Sequence, residues 1–134
     1  MKKIIIISIA IIALLGIGLV FNKKTPKVTR YDSVQSLGAN VSTSEGKQII
    51  EINAKGGYTP RATIAKAGQA TILRIKTNAT FDCSSSLRIP ALGYSKNLPA
   101  TGTTDIELPA QNAGTTLKAL CSMGMYNFSI NFQG

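Results

Sequence analysis

From Gly46 onward the chain alternates apolar and polar side chains with a period of two. Ile50, Ile52 and Ala54 alternate with Glu51 and Asn53, and Leu73 and Ile75 with Arg74 and Lys76. Ile106 and Leu108 alternate with Asp105 and Glu107. Leu117, Ala119 and Cys121 alternate with Lys118 and Leu120, and Phe128, Ile130 and Phe132 with Asn127, Ser129 and Asn131. Successive side chains of a strand point to opposite faces, so each run predicts a strand with one buried face. Gly56-Gly57, Ala67-Gly68, Ala100-Thr101-Gly102 and Asn112-Ala113-Gly114 supply the turns between them. Short, regularly punctuated strands without a long amphipathic helix predict an all-β sandwich or barrel over residues 46–134.

The first 45 residues have a different character. Ile4 to Phe21 is an uncharged run of 18 residues. As a helix it would span about 27 Å, close to the thickness of a bilayer's hydrocarbon. Residues 1–21 are therefore read as a single transmembrane helix. A cleaved signal peptide is the alternative; the run is longer than a usual signal core, and no small-x-small cleavage site follows it. Residues 22–45 are polar and rich in Ser, Thr, Asn, Gly and Lys, which predicts a flexible tether. Lys2 and Lys3 before the run place the domain on the extracytoplasmic side, although Lys23, Lys24, Lys27 and Arg30 beyond it oppose that orientation.

Charge changes the picture little. The 134-residue chain carries a formal +9, but residues 1–30 hold six basic residues and no acid, leaving only +3 on the remainder. A mildly basic domain without a basic run gives no support for a nucleic-acid partner. Arg88 and Lys96 can dock an acidic partner, although solvated strand-edge charges are the default reading.

The sulfur atoms are unevenly placed. Apart from the initiator, the chain has two cysteines and two methionines, and three of these four lie in Cys121-Ser122-Met123-Gly124-Met125. If this segment is extended, residues 121, 123 and 125 share parity and their side chains project to one side. Gly124 lets the loop turn. The chain has no histidine. A blue-copper centre and the usual nucleophile–base pairs therefore lack their imidazole, and structural zinc lacks its four ligands. Soft thiolate and thioether donors suit copper(I). The competing reading is a Cys83–Cys121 disulfide, the usual state of two cysteines in an exported domain. No catalytic residue is predicted, and the chain reads as a carrier rather than an enzyme.

Five segments carry a resemblance. They are Gly56-Gly57-Tyr58-Thr59-Pro60, Ile64-Ala65-Lys66-Ala67-Gly68, Cys83 followed by Leu87 to Gly93, Leu98-Pro99, and Cys121 to Tyr126. Together they resemble the cupredoxin-like domains of the EfeO type, and most closely the bacterial membrane-anchored copper(I) chaperones of the CupA type. The resemblance implies a Greek-key β-sandwich without a blue-copper site. By position it makes Cys83 and Cys121 tight copper(I) thiolates able to bridge two ions, with Met123 and Met125 completing a weaker site. It also implies a copper-exporting P-type ATPase as the partner. Many members of the family have glycine where this chain has Ser122. The functional expectation is copper trafficking or tolerance. The alternatives are a disulfide-stapled structural or adhesive sandwich and a copper-delivery factor for oxidase assembly.

Overall fold

The computed structural model describes residues 38–134. The predicted anchor and most of the predicted tether lie outside these residues. Among the described residues no helix is long and apolar enough to cross a membrane.

The strands are β1 (Val41–Ser44), β2 (Lys47–Ala54), β3 (Tyr58–Thr59), β4 (Ala62–Lys66), β5 (Thr71–Thr77), β6 (Ser86–Ile89), β7 (Tyr94–Asn97), β8 (Gly102–Leu108), β9 (Thr116–Leu120) and β10 (Asn127–Gln133). They form two five-stranded sheets. The first runs β1-β2-β5-β8, with β3 also paired to β2; the second runs β4-β10-β9-β6-β7. Pairing is antiparallel except for β2 with β5 and β10 with β4. The architecture is an all-β sandwich, one of the two all-β forms the alternation predicts.

Every apolar face read from the sequence is buried. Ile50, Ile52, Leu73, Ile75, Ile106 and Leu108 fill the core from the first sheet; Leu117, Ala119, Cys121, Phe128, Ile130 and Phe132 fill it from the second. Burying each large aliphatic or aromatic side chain contributes about 1.5–3 kcal/mol. Tyr58 crosses between the sheets to meet Phe128 edge-on, with ring centroids 5.1 Å apart.

A buried amide also joins the two sheets. Gln48 on β2 donates to the Thr71 hydroxyl at 3.0 Å and to the Lys66 carbonyl at 3.3 Å, and accepts the Lys66 N–H at 2.8 Å. A buried amide is tolerated when its polar atoms find partners, and here they reach across to β4.

Five strands, β1, β3, β4, β6 and β7, lie where the period-two reading placed none. β1 sits within the stretch expected to be tether, and the Asn40 side chain ties its start to the Glu51 carbonyl and the Thr63 hydroxyl. β4 turns Thr63 and Ala65 inward, a polar and a small residue that give no hydrophobic signal. β6 carries Leu87 and Ile89 inward, but at four residues it is too short for a clear period.

Candidate metal centre

Cys121 follows β9 and continues its inward parity, so its side chain is fully buried. Cys83 opens a 3-10 turn, Cys83–Ser85, between β5 and β6, and is only partly buried. The two Cα atoms lie 5.8 Å apart and the sulfurs are joined as a disulfide across 38 residues of sequence. Among the described residues there is no free cysteine. Of the two states left open by the sequence, this structure holds the oxidised one.

Both cysteine loops are fixed by hydrogen bonds. The Asp82 carboxylate caps the 3-10 turn: it accepts the Ser84 N–H at 2.8 Å and the Ser84 hydroxyl. Its other oxygen accepts the Gly56 N–H at 2.9 Å, which ties the Cys83 loop to the Gly56-Gly57 turn. These bonds, that of the Ser84 hydroxyl foremost, hold the carboxyl below its ordinary pKa, because each favours the charged form. Burial, and secondarily the Asp82 charge, push the Tyr58 phenol up to about 12, and its hydroxyl donates to the Ser86 carbonyl at 2.8 Å.

Ser86 joins the two loops. Its hydroxyl donates to the Cys83 carbonyl at 3.2 Å, accepts the Ser122 N–H at 3.1 Å and lies 2.8 Å from the Ser122 hydroxyl. Ser122 therefore has a structural partner across the two loops. On the other side, the Tyr126 N–H points at the Cys121 sulfur at 3.4 Å.

Met123 and Met125 do not share a face with Cys121 in the way an extended segment requires. The stretch is a turn, closed by the Gly124 N–H on the Cys121 carbonyl at 2.9 Å and the Cys121 N–H on the Tyr126 carbonyl at 3.0 Å. Gly124 takes φ +71°, the left-handed conformation that glycine adopts without a Cβ clash. Backbone hydrogen bonding across the turn replaces the pleat, so parity no longer sets direction. Both methionines are exposed, at 74% and 64%, and Met125 lines a surface groove with Tyr58, Arg61, Tyr126 and Asn127.

One exposed residue escaped the sequence reading. Phe81, two residues before Cys83, is 82% exposed. Its signal was an aromatic inside the polar stretch Asn78-Ala79-Thr80-Phe81-Asp82. Among the described residues no three His, Cys, Asp or Glu side chains cluster as a metal site.

A family model for the cupredoxin-like domain matches residues 11–130. The chain belongs to the cupredoxin-like domain family. Among solved structures, this cupredoxin-like chain is similar to the metal-binding domain of the Streptococcus pneumoniae D39 Cu(I)-exporting P-type ATPase CopA with Cu(I). The identity is 20% and the TM-score 0.62, over 70% of this chain and 93% of that one. It is similar also to a copper binding protein solved by NMR in the apo form, at 21% identity and a TM-score of 0.64, over 72% of this chain and 97% of that one. At these identities the likeness is one of fold. No curated protein matches the chain.

Proposed function

We propose that this protein is a membrane-anchored, extracytoplasmic carrier of copper(I), of the CupA type, that binds its cargo through Cys83 and Cys121 once their disulfide is reduced. The observation that carries the reading is the meeting of the only two cysteines beside a methionine-bearing turn in a domain without histidine. Reduction takes two electrons and two protons from a dithiol donor and frees two thiols. Deprotonated, they are the soft, charged donors that copper(I) prefers. Met123 and Met125 add neutral thioethers that bind more weakly and need no deprotonation. Their exposure suits them to receive or release the ion.

The family membership and the copper-binding solved structures that share the fold support copper as the cargo. The similar domain belonging to a Cu(I)-exporting P-type ATPase supports such a pump as the recipient. The apolar run Ile4–Phe21 supports the anchor. Sulfur-only ligation fits a carrier rather than a catalyst.

The test is anaerobic copper(I) titration of the reduced protein against a chromophoric copper(I) chelator, with thiols counted beforehand. Wild type is expected to compete for the ion, and Cys83→Ser and Cys121→Ser to lose tight binding. Unchanged affinity in both variants would end the proposal. The joined sulfurs favour one other reading, a sandwich stapled by Cys83–Cys121 with a structural role. It predicts that the reduced protein takes up no copper.

A further inference from the structure

The two sheets treat charge differently. All three acids carried by the strands, Glu51, Asp105 and Glu107, lie on the first sheet. Each is neutralised there: Lys76 pairs with Glu51, Arg74 with Asp105 at 2.8 Å and Lys47 with Glu107 at 3.0 Å. The strands of the second sheet carry Lys66, Arg88, Lys96 and Lys118 and no acid, with Arg61 immediately before β4. None of these five cations makes an ion pair among the described residues.

Three of the five border the sulfur turn. Lys118 lines a groove with Leu120, Gly124 and Asn127; Arg61 lines the adjoining groove with Met125, Tyr126 and the same Asn127. Arg88 stands opposite Leu120 in the β6–β9 register. Arg61, Lys118 and Arg88 are all exposed and lie along one end of the sheet, beside the exposed Met123 and Met125.

We infer that this end of the second sheet is a docking surface for an acidic protein partner. Two arginines and a lysine, unpaired and with no acid on the strands of their sheet, match carboxylates on a facing surface, and arginine does so bidentately. Methionine and arginine together are the composition of a protein interface more than of a lipid-facing one. Charge at such a rim steers encounter and sets register. The cations would bring an acidic partner onto the sulfur turn, where copper(I) passes from one set of sulfurs to another. That purpose rests on the copper reading; the docking itself does not and is measured without metal.

The experiment uses the full chain, isotope-labelled and held in zwitterionic detergent micelles, titrated with poly-L-glutamate while backbone amide shifts are followed. Shifts are expected around Arg61, Arg88 and residues 118–127. Apparent affinity is expected to fall about tenfold in Arg61→Gln/Arg88→Gln/Lys118→Gln. The charge-matched Lys47→Gln/Arg74→Gln/Lys76→Gln is expected to bind nearly as wild type does. Equal loss in both variants, or shifts spread over the first sheet, would overturn the inference. So would a response of these amides to vesicles of phosphatidylcholine and phosphatidylglycerol in equal parts without one to poly-L-glutamate. Copper(I) affinity, read by chelator competition on the same variants, is expected to stay unchanged, so docking and copper binding fail separately.

Discussion

The Gly56 backbone N–H donates to the Asp82 carboxylate at 2.9 Å, linking the Gly56-Gly57 turn to the loop that presents Cys83. The same carboxylate caps the 3-10 turn that begins at Cys83. One acid thus fixes the position of one cysteine from two directions, and its charge matters because all its partners are donors.

Asp82→Asn is expected to lower stability by about 1 kcal/mol near neutral pH. The folded-state pKa of Asp82 is depressed. Its contribution is therefore fully present above the unfolded value of about 3.9 and is lost as pH falls through the lower folded value. Urea denaturation of both proteins at several pH values should show the gap closing in acid. A gap that persists unchanged at the lowest pH would refute the role of the charge.

Opening the disulfide should cost stability. Closing a loop of 38 residues contributes about 4 kcal/mol through the unfolded state, in the chain-entropy account. The reduced protein is therefore expected to melt at lower temperature than the oxidised one. Copper(I) should then raise the melting temperature of the reduced protein and leave that of the oxidised one unmoved, because a ligand of the native state stabilises it. Calorimetry under anaerobic conditions reads both effects.

Met123→Leu/Met125→Leu is expected to separate binding from folding. Both side chains are exposed, so stability should change by no more than about 0.5 kcal/mol. The weaker copper site should disappear while the thiolate site remains. Loss of tight binding in this variant would mean that the thioethers belong to the primary site.

Ser86→Ala removes the hydroxyl that joins the Cys83 and Ser122 backbones. A cost of about 1 kcal/mol is expected. Amide exchange should quicken at Ser122 and Gly124 and stay as it was on β5 and β8.

Gln48→Leu keeps bulk but strands the Lys66 N–H and carbonyl between the sheets. An unpaired buried polar group costs about 1–3 kcal/mol. A denaturation midpoint equal to that of wild type would show that water replaces the amide.

The sequence by itself determined the all-β class and the inner faces of β2, β5, β8, β9 and β10, because a strand turns alternate side chains to one side wherever it goes. Ile50 and Ile52, or Phe128 and Ile130, needed no knowledge of their partners to be read as buried. It also determined the chemistry on offer: four sulfurs besides that of the initiator, no imidazole, and one glycine able to turn the Met-bearing loop. Thr63 and Ala65 escaped because a small or polar residue faces inward only where the opposite sheet leaves it that space. The direction of Met123 and Met125 escaped because the hydrogen bonds of a turn, not the pleat, set it. The joining of Cys83 to Cys121, the bond from Ser122 to Ser86, and the neutralising of one sheet's charges but not the other's were decided only by the tertiary structure. Each depends on register between segments far apart in the chain, and no local pattern encodes register.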